Sequence, residues 1–525
     1  MQRPALTKMP VETSRVSNFR LGLSHYLLLA GVMLIGLVLR TVSIGSDNLW
    51  TDEALTLVLA QWPVWDMITK PTDPTPFFYY ALHKWFIPEN ASVVGIRSIS
   101  LVAGMLALPA IYAIGRLIFS REGALLATAL LAVSAPLIDY SQEARAYSVL
   151  VLLVLISAAT LLWWFDVRQT LPRKGRAMLA VFVISTVLAG YTHFSAIFWI
   201  GPAMLLLFAL SSNGGPRARA DAFMALAVLN LAMIPEWIRA AKFAAIERSF
   251  DWLQQATPAH FVEVIRDTLL PTGFGTDATA GLLLPAAIWI GWRSYADRKR
   301  LGEWISNRPA AAAVIVTLLM LPVAMWLFGY VVRPVFVPRT ILLGIPGFIL
   351  LVVLLIELDL SKIRKIATSA IFIALSLTSL ITFGTVRAKE DWQEVRRILS
   401  EQARPGDVLI VCPIWKYPAL RHAVARPVAL PVMALSRGEW RMLESGLVPD
   451  PHWQRRYLSV TTDSSSNSVA GPGQAARTWL VLSGCSNADP DSARVLLGEV
   501  QRSTLVRKVE GSIFVRRIDA NEVFP

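Results

Sequence analysis

From about residue 24 to residue 386 the chain alternates long apolar runs with short polar stretches rich in Lys and Arg. An α-helix rises 1.5 Å per residue, so about 20 apolar residues carry it across the hydrocarbon core of a bilayer. On that measure the pattern predicts eleven membrane spans, at about 24–43, 92–118, 122–139, 147–165, 178–191, 192–210, 221–236, 279–292, 309–329, 338–358 and 366–386. Residues 178–210 form one apolar stretch too long for a single straight span; "GYTHFS", with Gly190 and the polar Thr192, His193 and Ser195, divides it. The run at 279–292 is short, and is accepted as a span because the loops on either side of it demand a crossing.

Beyond residue 388 the pattern changes. "KEDWQEVRRILSEQA" has helical periodicity, "RPGD" reads as a turn, and "VLIVC", "TWLVLS", "TLVRKV" and "SIFVRR" read as strands, with a further helical pattern in "DPDSARVLLGEVQRS". Residues 455–475 are too dense in Ser, Gly and Pro to pack and are expected to form a mobile loop. Cys412 and Cys485 each end a strand-like run, which leaves open whether they form a disulfide or stay as two buried thiols. The expected fold is thus an all-α polytopic membrane domain at 24–388, with amphipathic helices in its outer loops, preceded by a tail at 1–23 and followed by a soluble α/β domain at 389–525.

Composition narrows the function classes. With 54% hydrophobic and only 17% charged residues, an ordinary soluble domain is excluded. The net charge of +13 does not point to nucleic acid, because the basic residues are scattered between apolar runs and form no stripe with interleaved aromatics. They orient the chain instead. With the N-terminus in the cytoplasm, the inside loops carry twenty Lys and Arg and the longer outside loops carry nine. The odd number of spans then sends the α/β domain outside the cytoplasm. The basic segment before the first apolar run, and the Trp and acids after it, do not resemble a cleavable signal, so the first span is expected to be retained.

Chemistry gathers in the outside loops. The first carries "SDNLWTDEALTL" (46–57), with Asp52 and Glu53 side by side, and "DPTPFFYYALHKWF" (73–86); the second carries "LIDYSQEARAYS" (137–148); others carry "YTHF" (191–194) and "YVVRPVFVPRT" (330–340). Acids following a span are often idle and solvated, and single arginines at an interface often only snorkel. Lys84, Arg145, Arg333 and Arg339 on one face, beside acids and aromatic rings, instead suggest a site for an anion. An anion arriving from the membrane is a lipid phosphate.

The order "WTDEA", "PTPFFYY" followed by His83, "SQEARAYS" and "YTHF" resembles the GT-C glycosyltransferases of the bacterial protein-mannosyltransferase-like group, which includes the aminoarabinose transferases acting on lipid A. The resemblance covers most of 24–390, and the C-terminal domain is similar to the extracytoplasmic domain of many such proteins. It implies a bacterial inner-membrane enzyme that transfers a sugar from a polyprenyl-phosphate donor, with inversion, to the hydroxyl of a glycan, glycolipid or protein at the outer membrane face. Asp52 matches the catalytic base, with Glu53 supporting it. Arg145 and Arg339, and behind them Lys84 and Arg333, are the expected phosphate ligands. Trp50, Tyr79, Tyr80, His83, Tyr140, Gln142, Glu143, Tyr147 and His193 are the expected substrate contacts. No cofactor is implied.

The chain also departs from that pattern. "DPTP" stands where many members read "HPP", with Pro74 where a His would be, and Leu150 stands where protein-mannosylating members place an acid. The first loop has no Asp-x-Asp pair, so no catalytic metal is expected. Two rival readings are a transporter or flippase for a lipid-linked saccharide and an inactive assembly factor; neither would need the carboxylate of Asp52.

Overall fold

The computed structural model describes residues 22–46, 49–69, 75–212, 214–244, 253–269, 276–386 and 390–404, together with 407–412, 416, 419–420 and the strands given below. Helices dominate up to residue 402: α1 (Leu23–Thr41), α2 (Thr51–Ala60), α3 (Val64–Thr69), α4 (Phe77–Phe86), α5 (Val93–Ile118), α6 (Arg121–Ala132), α7 (Ala135–Asp139), α8 (Tyr147–Val167) and α9 (Pro172–Gly190). They continue with α10 (Ile197–Ser211), α11 (Gly215–Ala244), α12 (Pro258–Leu269), α13 (Thr276–Ala296), α14 (Arg298–Asn307), α15 (Pro309–Val331), α16 (Gly344–Glu357), α17 (Lys362–Val386) and α18 (Trp392–Gln402).

Ten of the eleven predicted apolar runs each overlap one α-helix, the run at 122–139 is divided between α6 and α7, and the turn at 191–193 separates α9 from α10 where "GYTHFS" places it. Among the described residues seven helical segments are long and apolar enough to cross a membrane, and an eighth is formed by α6 and α7 if that pair, bent by 62°, is one span. The runs at α9, α13 and α16 are helical but shorter or less apolar than that test requires.

The bundle is organised around α8, which is apolar on all sides and therefore packs on all sides. Its Leu155, Ala158 and Leu161 are wholly buried, in the same core as Leu108, Ile111 and Ile114 of the neighbouring α5 and Phe182 of the neighbouring α9. The break between α6 and α7 frees backbone carbonyls inside this core, where an unpaired polar group is costly. Arg40 of α1, itself buried, donates to the carbonyls of Leu131 (3.2 Å) and Ala132 (2.9 Å) at that break.

The C-terminal part holds a six-stranded mixed sheet: β1 (Val408–Cys412), β2 (Pro431–Ser436), β3 (Glu439–Ser445), β4 (Arg477–Ser483), β5 (Thr504–Val509) and β6 (Ile513–Asp519), in the order β3-β2-β1-β4-β6-β5. β1 is parallel to β2 and to β4, with Ile410 opposite Met433 and Leu480. β6 is antiparallel to β4 and β5, and β3 is antiparallel to β2. Helix α18 lays Trp392, Val395 and Leu399 on Leu409, Val411 and Trp479. The hairpin of β2 and β3 was not among the expected strands. The expected mobile loop at 455–475, the helical pattern at 489–503 and Cys485 lie outside the described residues, as does the side chain of Cys412.

Candidate active site

Helix α2 begins where the chain leaves α1, and its first turn carries two acids, which suits the positive end of the helix dipole. Successive residues of a helix point about 100° apart, so Asp52 and Glu53 face different surroundings. Glu53 is fully buried and accepts from Arg97 of α5 through both oxygens (2.8 and 2.7 Å). It also accepts from the amides of Ala144 (2.8 Å) and Trp50 (3.3 Å). Arg97 is equally buried and donates onward to the carbonyl of Ile44 (2.7 Å). Glu53 therefore ties together the start of α2, α5 and the loop before α8, and its oxygens are committed to that task.

Asp52 points elsewhere. Its Oδ2 accepts from Nη1 of Arg339 at 3.3 Å, and both side chains keep about a quarter of their surface open, 27% and 25%. Arg339 lies in the turn at 338–340 that follows the non-helical segment 333–337, where Pro334 and Pro338 hold the preceding residues out of helical geometry. The turn is locked by Thr340, whose hydroxyl donates to the carbonyl of Val337 (2.8 Å), and the segment is tied to α12 by the ring of His260 at the carbonyl of Phe336 (3.0 Å).

Arg145 approaches the same turn of α2 from the loop before α8. Its Nη1 donates to the backbone carbonyl of Asp52 (3.2 Å) and reaches the hydroxyl of Thr56 (3.5 Å). Its own carbonyl accepts from Ser100 (3.0 Å), which is joined to the hydroxyl of Tyr79 (2.7 Å), which is joined in turn to Nε2 of His83 (3.2 Å). Tyr79 and His83 are buried, so this chain acts behind Arg145 as a brace. Burial pushes His83 down to about 4, so that it is neutral near pH 7.

Aromatic rings wall the site. Tyr140 and Tyr147 meet edge to face with centroids 5.0 Å apart, and Tyr147 lies 5.2 Å from His193. Asp52 and Arg339 act electrostatically on both tyrosines. His193 caps the short helical turn that follows it: its Nδ1 meets the hydroxyl of Ser195 (2.8 Å) and accepts from the Ser195 amide (3.2 Å). Burial first, and then the positive charges of Arg145, Arg339 and Arg239, hold His193 well below the ordinary histidine range. Trp50 flanks the first turn of α2, and its buried indole N–H has no acceptor among the described residues.

Thus Asp52, Arg145, Arg339, Tyr140, Tyr147 and His193 come together, while Glu53, Tyr79 and His83 stand behind them. Tyr80 and Glu143 are also buried. Two expected contacts are directed elsewhere. Lys84 is exposed and donates to the carbonyl of Gln61 (3.3 Å), at the opposite end of α2 from Asp52. Gln142 donates to the carbonyls of Leu39 (3.1 Å) and Val42 (2.8 Å), closing the end of α1. Arg333 is half-buried six positions before Arg339. Asp73 and Pro74 lie outside the described residues. Sequence reasoning overlooked Arg97, Thr56 and Ser100; the signal available for the first was an arginine inside an apolar span, which requires a partner. No group of three or more His, Cys, Asp or Glu side chains among the described residues is placed to hold a metal.

Residues 74–245 match the family of dolichyl-phosphate-mannose-protein mannosyltransferases. The chain is similar in structure to ArnT from Cupriavidus metallidurans, crystallised in the apo state, with a TM-score of 0.57 and 13% identity over 96% of this chain and 99% of that one. This chain has the GT-C fold. A second GT-C structure, the same ArnT bound to undecaprenyl phosphate, gives a TM-score of 0.54 and 12% identity over the same shares. No curated protein matches by sequence. The family match includes Arg145, Tyr140, Tyr147 and His193, whereas Asp52 and Arg339 lie outside the matched segment.

Proposed function

We propose that the protein is an inverting glycosyltransferase that moves a hexosyl or pentosyl group from a polyprenyl-phosphate donor to an acceptor hydroxyl, with Asp52 as general base. The single observation that carries this reading is the pairing of the partly exposed carboxylate of Asp52 with the guanidinium of Arg339, beside Arg145. The GT-C fold and the similarity to a protein crystallised with undecaprenyl phosphate support it. The chain would sit in a bacterial inner membrane with its N-terminus in the cytoplasm, and with the site and the C-terminal unit outside. Residues 24–388 would form the catalytic membrane domain.

In this reading the donor phosphate takes Arg339 and Arg145 as counter-charges, which draws Arg339 away from Asp52 and frees the carboxylate. The acceptor oxygen attacks the anomeric carbon from the face opposite the phosphate, a new C–O bond forms, and the bond to the phosphate oxygen breaks with its electron pair. The acceptor proton becomes acidic only as its oxygen bonds to carbon, so Asp52 takes it late in the step. Charge develops on the leaving phosphate, where preoriented cations act most strongly. The products are a glycosylated acceptor and a polyprenyl phosphate. Mass spectrometry of envelope glycolipids and glycans from cells with and without the gene tests the reading: one missing sugar together with an accumulated lipid-linked sugar is expected. An unchanged profile in cells that express the protein would overturn it.

A further inference from the structure

Four consecutive residues of α2 each make a contact outside the helix. Asp52 takes Arg339 and Glu53 takes Arg97, as described. Thr51 and Ala54, three positions apart and so on one face of the helix, both meet the C-terminal unit. The hydroxyl of Thr51 donates to Oε2 of Glu390 at 2.5 Å, and the Thr51 amide reaches the same oxygen at 3.4 Å. That carboxylate is held in turn by the indole N–H of Trp392 (2.9 Å) and by an ion pair with Lys416. Ala54, buried, is packed in the same apolar core as Trp392, Val411, Trp479 and Val515.

The first amides of any helix lack intrahelical acceptors, and a carboxylate there is favoured by the helix dipole. The residue before α2, Trp50, offers no side-chain acceptor. Glu390 supplies one from 339 positions away, directly beside the residue whose carboxylate must be aimed. We propose that Glu390 is a positioning residue for Asp52, and that the C-terminal unit is thereby a working part of the catalytic centre. It fixes the first turn of α2 so that Asp52 keeps its orientation toward the reacting hydroxyl. This rests on the reading of Asp52 as the base.

The test uses the full-length protein in detergent, as wild type, Glu390→Ala, Glu390→Gln and Thr51→Val. Gln retains an oxygen that can accept from both Thr51 and Trp392, whereas Ala retains neither contact, so Gln should rescue most of what Ala loses. Hydrogen exchange across residues 50–57 should speed up in Glu390→Ala with exchange in α8 unchanged, and kcat should fall about tenfold or more with the donor KM unchanged, as misalignment of a catalytic group predicts. Thr51→Val should reproduce the direction of both effects, and adding it to Glu390→Ala should bring little further loss. Unchanged exchange in that turn, an unchanged kcat, or a fall in kcat matched by faster exchange throughout the bundle would each overturn the proposal. Failure of the transferase reading itself would be seen separately, as a wild type inactive toward every polyprenyl-phosphate sugar, and would remove the catalytic role with it.

Discussion

Asp52 and Arg339 meet at 3.3 Å across 287 positions of sequence. The pair joins the two requirements of the proposed reaction in one contact, since one partner can receive a proton and the other can neutralise a phosphate. While the pair is closed each group occupies the other. An anionic donor is therefore both substrate and competitor, because it offers Arg339 a second partner and leaves Asp52 exposed to the acceptor.

Asp52→Asn keeps the size of the side chain and removes the base. Transfer should fall by about 10²–10⁴-fold, the usual contribution of a positioned general base. Donor binding should persist or tighten, because Arg339 no longer has a carboxylate to leave. Single-turnover transfer measured beside equilibrium binding of a polyprenyl phosphate checks both parts. Undiminished turnover by the folded variant would remove Asp52 from the chemistry.

The cations should separate into two classes. Arg145→Gln and Arg339→Gln each remove a charged hydrogen bond to the donor, about 1.5–3 kcal/mol, or roughly ten- to hundred-fold in Kd. Lys84→Gln should leave donor affinity unchanged, because its ammonium lies on the carbonyl of Gln61 at the far end of α2. Titration of the three variants with polyprenyl phosphate distinguishes a site built around Asp52 from one spread over the whole outer face.

Glu53 belongs to the scaffold in this geometry. With Glu53 and Arg97 both buried, removing one leaves an unpaired charge in the core, a loss of about 3–5 kcal/mol. Glu53→Ala should therefore lower the thermal midpoint sharply and reduce the yield of folded protein. A paired apolar replacement, Glu53→Met with Arg97→Met, should recover part of the midpoint and little activity, since the Ala144 amide loses its acceptor and the Arg145 loop its tether. Thermal melts in detergent of the single and paired variants check this.

The sequence carried the bundle further than it carried the site. Apolar run length locates helices because the bilayer sets that length, and β1, β4, β5 and β6 were legible as runs of β-branched and apolar residues. β2 and β3 were not, because "PVMALS" and "EWRMLES" contain Met, Ala and Glu, and their strand state comes from pairing with β1 and with each other. Asp52 and the arginines could be nominated because charge at membrane depth is costly. Their partners could not, because Glu53 with Arg97, Asp52 with Arg339 and Thr51 with Glu390 are contacts between distant positions that leave no local pattern. Glu53, adjacent to Asp52 in the chain, is turned away from it by the pitch of the helix alone.

Acid should weaken the fold through His83. Its ring is buried, its Nε2 is engaged by Tyr79, and its folded value is pushed down to about 4 from an ordinary 6.5. Above pH 6.5 the ring is neutral in both the folded and the unfolded chain and contributes no pH dependence. Between 6.5 and about 4 the unfolded chain takes up a proton that the folded one refuses, so stability falls as the pH falls, by up to ~3 kcal/mol for this group. His83→Gln keeps a polar atom for the Tyr79 hydroxyl and cannot titrate. Its thermal midpoint should therefore drop less than that of the wild type between pH 7 and pH 4.5, with the two curves parallel above pH 7. Equal acid slopes for the two proteins would mean that His83 is protonated in the folded state, and so that the brace behind Arg145 is open to water.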